Sequence, residues 1–129
     1  MEQPALRLLA QLGWEVASAF DEVFGPAGTL GRDSQSEPVL GHRLRDALRS
    51  LNPGLTDTTL EKAAERLLQG SSAMDRVRAN REVYSRLRNG AKVETTDSDG
   101  TRRVVTVRFV DWNHADANDW LAVSQFWIT

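Results

Sequence analysis

The side chains with the most chemical potential sit in two stretches. The first is Asp111-Trp112-Asn113-His114-Ala115-Asp116-Ala117-Asn118-Asp119, dense in the oxygen donors that hold hard cations. Counted as a calcium-binding loop from Asp111, its sixth residue is Asp116 where Gly is required. Its twelfth is Ala122 where Glu is required. One His114 among carboxylates is a poor zinc set. No metal ligand is assigned, and the segment reads as a loop whose Asn and Asp side chains satisfy local backbone groups.

The second stretch is basic. Arg76, Arg78, Arg81, Arg86, Arg88 and Lys92 stand against Asp75 and Glu82, six cations to two acids and a local net of +4. Arg78, Arg81, Arg88 and Lys92 fall near one stripe, a candidate DNA-binding surface that tracks phosphates. The competing reading is a solvated helix face, which charge pattern alone favours. Asn80 lies between Val77 and Tyr84 on the stripe expected to face the core. A buried amide without partners costs about 1–3 kcal/mol, so Asn80 is expected to clamp neighbouring backbone. Glu2 is an acid in the first turn of a helix, where it favours the macrodipole.

Composition narrows the chemistry. The chain has 129 residues, the size of one domain or part of one, and a net charge of -2, so it carries no global basic field. There is no cysteine, which excludes thiol catalysis and disulfides. The lysines are Lys62 and Lys92, leaving 16 − 2 = 14 arginines. Neither lysine follows glycine, so no phosphate-binding Gly-Lys-Ser/Thr loop exists. The segment Gly25-Pro-Ala-Gly28-Thr-Leu-Gly31-Arg32 likewise lacks dinucleotide-binding spacing. A PD-(D/E)xK nuclease needs an acid two residues before its lysine, and Leu60 and Gly90 hold those places. No apolar run reaches the ~20 residues of a membrane span, and no signal peptide opens the chain. The expected location is cytoplasmic.

The elements that must position these residues follow from periodicity. Ala5, Leu6, Leu8, Leu9 and Leu12 mark a first helix, stopped by Gly13. Trp14–Phe24 reads as an extended start with little regular structure after it. Gly25–Glu37 is a loop. Leu40, Leu44, Ala47, Leu48 and Leu51 mark a second helix, ended by Asn52-Pro53-Gly54. Thr56 caps a third, with Leu60, Ala63, Ala64, Leu67 and Leu68 inward and Gly70 as its stop. Ser71 or Ser72 caps a fourth, which carries Met74, Val77, Tyr84 and Leu87 and closes at Asn89-Gly90. Lys92–Asp97 and Thr101–Val110 predict a hairpin turning at Asp99-Gly100. Trp120–Thr129 predicts a last strand, apolar on both faces. The fold class is α+β, helical over 1–90 and β over 91–129, as a single domain or fragment.

Several of these segments together resemble the N-terminal region of type I restriction enzyme R subunits. Glu2-Gln-Pro-Ala-Leu6 with Leu12-Gly13-Trp14 is similar to that family's opening helix. Asp21-Glu-Val-Phe-Gly25 and Gly28-Thr-Leu-Gly-Arg32 resemble the loop after it. Arg43-Leu-Arg-Asp-Ala-Leu48 with Leu51-Asn-Pro53, the run Asn80-Arg81 to Asn89-Gly90, and Asn118-Asp-Trp-Leu-Ala-Val-Ser-Gln125-Phe126 resemble three further motifs, in order. The chain departs at Ser124 and Trp127, where the family often carries Asn and Thr.

The resemblance implies the start of a PD-(D/E)xK nuclease-like sheet, with the catalytic strands and the ATPase motor beyond Thr129. It implies a parent that joins modification and specificity subunits, translocates DNA with ATP and cuts it with Mg²⁺, while this fragment holds no cofactor and is inactive alone. Glu2 matches an accessory acid of the metal site, and Gln125 falls in the matching strand as a structural residue. Two other roles compete: a non-catalytic docking module for partner subunits, and a small DNA-binding protein using the arginine-rich helix. An apolar strand at 120–129 with an open edge is expected to self-associate.

Overall fold

The computed structural model describes residues 2–68 and 76–128. The expected stop at Gly70, the cap at Ser71 or Ser72, Met74 and Thr129 lie outside them, as does the side chain of Glu2. The described residues form four helices and four strands, an α+β class: α1 Glu2–Gln11, β1 Glu15–Ser18, α2 Gly41–Leu51, α3 Asp57–Leu68, α4 Arg76–Asn89, β2 Ala91–Thr96, β3 Arg102–Val107 and β4 Leu121–Ser124. Two compact units share the chain: Met1–Arg43 with Asp119–Thr129, and Leu44–Asn118. Helical segments lie before residue 90 and β segments after it, apart from β1 and a 3-10 turn at Ala115–Ala117, and the two units divide the chain elsewhere.

In the first unit, α1 ends as glycine placement predicts. Gly13 takes φ +93°, and the N–H groups of Gly13 and Trp14 close on the carbonyls of Ala10 and Leu9 at 3.1 and 3.0 Å. The turn leads directly into β1, which pairs in parallel with β4, Glu15 opposite Leu121 through Ser18 opposite Ser124. The Trp14 and Trp120 rings stack at 5.0 Å at the entrance of this pair. The last strand is shorter than its alternation suggests. Gln125 takes φ +57°, outside extended backbone, and ends the ladder after four residues. Trp127 and Ile128 are 60% and 56% exposed and belong to no strand.

The loop between β1 and α2 is organised by one buried cation. Arg32 is 1% exposed. Its guanidinium grips Glu22 through two bonds of 2.6 and 2.7 Å and donates to the carbonyls of Glu37 at 3.0 Å and Trp127 at 2.9 Å. The Phe126 ring lies 4.2 Å from the guanidinium carbon and Phe24 5.7 Å. The hydrogen bonds that Arg32 donates to Glu22 raise its pKa, with burial opposing and the charges of Glu22 and Glu37 adding to the rise. A buried charge is tolerated only when its donors are satisfied. Arg32→Met strands the Glu22 carboxylate, so we expect it to destabilise this unit by about 3–5 kcal/mol in urea unfolding; a change below 1 kcal/mol would show that Glu22 rehydrates freely.

The second unit stacks helices on a hairpin. Thr56 caps α3, its hydroxyl accepting from the Thr59 N–H at 3.3 Å. Strands β2 and β3 pair antiparallel, Ala91 opposite Val107 through Thr96 opposite Arg102. Leu48, Leu60, Ala63, Ala64, Ala91, Val93, Val107 and Phe109 form the core. These are largely the inward positions of the helical and strand periodicities, although Leu68 is 43% exposed.

Asn80 is not part of this core. It is exposed, and α4 contributes no fully buried residue. Periodicity shows that Val77, Asn80, Tyr84 and Leu87 share a face; it does not show that another element covers that face. Val77 and Tyr84 are 63% and 61% exposed, and Leu87 alone of the four packs on the core. The amide clamp is instead Asn52, 7% exposed, just past α2. Its NH₂ donates to the carbonyls of Leu48 and Arg108, each at 2.9 Å, and its Oδ1 accepts the Arg108 N–H at 2.8 Å. Asn52→Leu leaves both backbone groups of Arg108 unpaired and should cost about 1–3 kcal/mol. Asn80→Leu should fall within about 0.5 kcal/mol of wild type, as exposed substitutions do. Urea denaturation of the two variants side by side distinguishes them.

Candidate functional site

The end of α4 and the exit of the hairpin build a single recess. Helix α4 stops because Gly90 takes φ +81°, its N–H bonding the Arg86 carbonyl at 2.8 Å. A Cβ on Gly90 would stand 2.6 Å from the Val107 carbonyl oxygen, so only glycine permits this approach of helix end to β3. The resulting cleft encloses about 320 Å³ and is lined by Arg88, Gly90, Thr106, Arg108, Asp111 and Trp112, among others.

Each wall has its own support. Arg108 follows β3, and Asn52 holds its backbone from both sides. Trp112 is 63% exposed, yet its Nε1 donates to the Arg88 carbonyl at 3.1 Å and fixes the indole against the end of α4. The Asp111 carboxylate accepts from the N–H groups of Asn113 and His114, each at 3.0 Å, with the His114 ring nitrogen at 3.3 Å. Asn118 closes the loop, its Oδ1 accepting the Asp111 N–H at 2.7 Å and its NH₂ donating to the Asp111 carbonyl at 2.9 Å. The Asp111 and Asn118 side chains thus satisfy local backbone groups, as the sequence of this loop suggests.

The expected phosphate-tracking stripe is only partly assembled. Arg78, Arg81, Arg88 and Lys92 are all exposed. Arg88 lines the cleft. Lys92 belongs to β2, past the glycine stop, so the helical stripe does not run through it. It pairs with Thr106 across the hairpin and shares the outward face at the cleft's edge. Arg81 lies about 10 Å along the helix from Arg88, and Arg78 farther still. Arg66 donates to the Lys92 carbonyl, and Arg86 to the Arg66 carbonyl at 2.6 Å, so those two arginines are structural ties. Among the described residues the ion pairs of this unit engage Arg45, Arg49, Arg86 and Arg103, not Arg88 or Arg108.

The other expected site residues lie elsewhere. Glu2 opens α1, and Gln125 is exposed, its backbone ending β4. Among the described residues no group of three or more His, Asp or Glu side chains is arranged to hold a metal ion. No helix among them is long and apolar enough to cross a membrane. Sequence reasoning missed Arg108 and Trp112. Arg108 stood in a predicted strand and Trp112 in a polar loop; an aromatic residue next to a backbone-capping aspartate was the signal available.

The family model for the type I restriction enzyme R protein N terminus matches residues 1–129. The chain belongs to this family. It is 34% identical over 125 residues to the type I restriction enzyme HindI endonuclease subunit of Haemophilus influenzae, a match covering 97% of the chain and 12% of that relative. No solved structure matches the chain. Family membership accounts for the order of the motifs from Glu2 to Phe126, and the α+β arrangement here is how this R-subunit N-terminal region folds.

The turn under the cleft is pH-sensitive in a defined direction. Partial burial works to raise the Asp111 pKa, but the His114 and Asn113 N–H donors and the His114 ring together hold it below the usual aspartate value. A depressed carboxylate stabilises the fold above the unfolded pKa of about 3.9 and loses that contribution as pH falls through the lower folded value. We expect the Asn113 and His114 amide resonances to titrate below pH ~3.9. Midpoints above that value would show that the turn does not hold the charge.

Proposed function

We propose that this chain serves as the N-terminal region of the R subunit of a type I restriction–modification system, working in the cytoplasm. In that role it contributes to a subunit that joins modification and specificity subunits and translocates and cleaves DNA. What supports the reading is the family match over the whole chain together with the identity to the HindI endonuclease subunit. Mg²⁺ and ATP belong to the parent activity. Among the described residues no acids form a metal cluster, and in the sequence neither lysine follows a glycine. Glu2 is the proposed accessory acid of the parent's metal site. The hairpin and the last strand, expected to begin one nuclease-like sheet, lie in separate two-stranded sheets, β2–β3 and β1–β4, and the proposed start of that sheet is confined to β4.

The competing readings are a docking module that packs on partner subunits without touching DNA and a small DNA-binding protein that uses the arginine-rich helix. The expected outcome is that the purified chain co-elutes with modification and specificity subunits in size-exclusion chromatography. It should leave supercoiled plasmid intact with Mg²⁺ and ATP, because positioned metal and phosphate contacts carry such chemistry. Separate elution from those subunits, or metal-dependent cutting by the chain alone that Glu2→Ala abolishes, would overturn this division of labour.

A further inference from the structure

The cleft at the end of α4 combines three features that seldom coincide on a solvated face: an exposed aromatic ring held in one orientation, cations without carboxylate partners, and a defined recess. We infer that it takes an unpaired nucleotide of a single DNA strand, the base stacking on Trp112 and the adjoining phosphates held by Arg88 and Arg108. The choice of DNA as the strand rests on the proposed role in a DNA-processing subunit. The base-and-phosphate chemistry rests on the cleft itself.

Trp112 supplies the platform. An indole 63% exposed is ordinarily free to turn, but the Nε1 bond to the Arg88 carbonyl at 3.1 Å fixes its edge. A held ring pays less entropy when a base stacks on it. Such stacking tolerates any base, since every base has a π-face. A paired base is stacked within its own duplex and cannot reach a protein ring without being extruded, so the recess suits an unpaired one.

The cations supply phosphate contacts. Among the described residues neither Arg88 nor Arg108 has an ion pair, whereas Arg45, Arg49, Arg86 and Arg103 are spent on carboxylates. Lys92 adds a third charge on the same outward face as Thr106. Asp111 is the opposing charge on the lining, and its carboxylate is engaged by two backbone N–H groups and the His114 ring. The volume, about 320 Å³, is at the small end of the range for sites that hold a compact ligand. An acidic peptide would use the arginines and leave the indole idle.

The test is fluorescence anisotropy of a labelled oligothymidylate with the full chain at ~50 mM salt, where phosphate contacts are strong. Trp112→Ala should weaken binding roughly 10- to 100-fold, the range set by loss of one stacked base. Trp112→Phe keeps an aromatic face and should retain most of the affinity. Arg88→Gln and Arg108→Gln should each flatten the salt dependence by about 0.7 in log–log slope. Trp127→Ala removes an equally exposed tryptophan and should change nothing.

Absence of wild-type binding would overturn the inference. So would a Trp112→Ala variant that binds as wild type does, or a Trp112→Phe variant as weak as the alanine one. Preference for duplex of the same length, or equal competition by thymidine monophosphate, would overturn the single-strand assignment. Co-elution with partner subunits reads the proposed subunit role independently, so either conclusion can fail alone.

Discussion

One side-chain amide connects the helices of the second unit to the exit of its hairpin. Asn52 ends α2 and offers Arg108 both a donor and an acceptor, as a neighbouring strand would. Buried backbone groups must be paired, and past the last β3 residue the antiparallel ladder no longer supplies partners. Asn52 therefore fixes where the chain goes after Val107. The Asp111 turn, the pinned Trp112 and the cleft all follow from that exit. Pro53 and Gly54 act from the other side, since the chain must leave the helix where the amide is needed.

The first unit solves a different problem with the same logic. Its strands β1 and β4 are four residues each, too short and too few to be stable as a sheet by themselves. Stacked Trp14 and Trp120 close one end, and Arg43 joins Glu15 to Asp119 across it, at 2.8 Å to Glu15 and 2.9 Å to Asp119. Arg32 organises the long loop by gathering Glu22, the carbonyls of Gln35, Glu37 and Trp127, and two aromatic rings. Such a buried cation specifies one arrangement of the loop, because any other leaves a charge desolvated and unpaired.

The same residue type thus serves opposite ends in one chain. Arg32 and Arg43 are saturated with acceptors; Arg86 and Arg66 tie carbonyls; Arg88 and Arg108 face solvent beside a fixed indole. With arginine supplying nearly all the cationic side chains, composition cannot separate these roles. Partners decide which guanidinium is structural and which is available to a ligand.

Much of the fold is legible from the residues themselves. Gly13 and Gly90 end helices because they alone tolerate positive φ cheaply, Thr56 caps because its hydroxyl reaches an orphan N–H, and period-2 alternation sets the register of the hairpin. The ordered motifs from Glu2 to Phe126 also carry the family. What the sequence could not determine depends on distant segments meeting. Residues 15–18 and 121–124 are about a hundred positions apart, so nothing local indicates that they pair in parallel. Asn80 and Asn52 both lie near apolar stripes, and only packing decides that one is exposed and the other buried. Arg108 and Trp112 become a site only because Gly90 lets a helix end approach β3. Local propensity acts over a few residues, whereas burial and ion pairing are set by whichever surfaces the folded chain brings together.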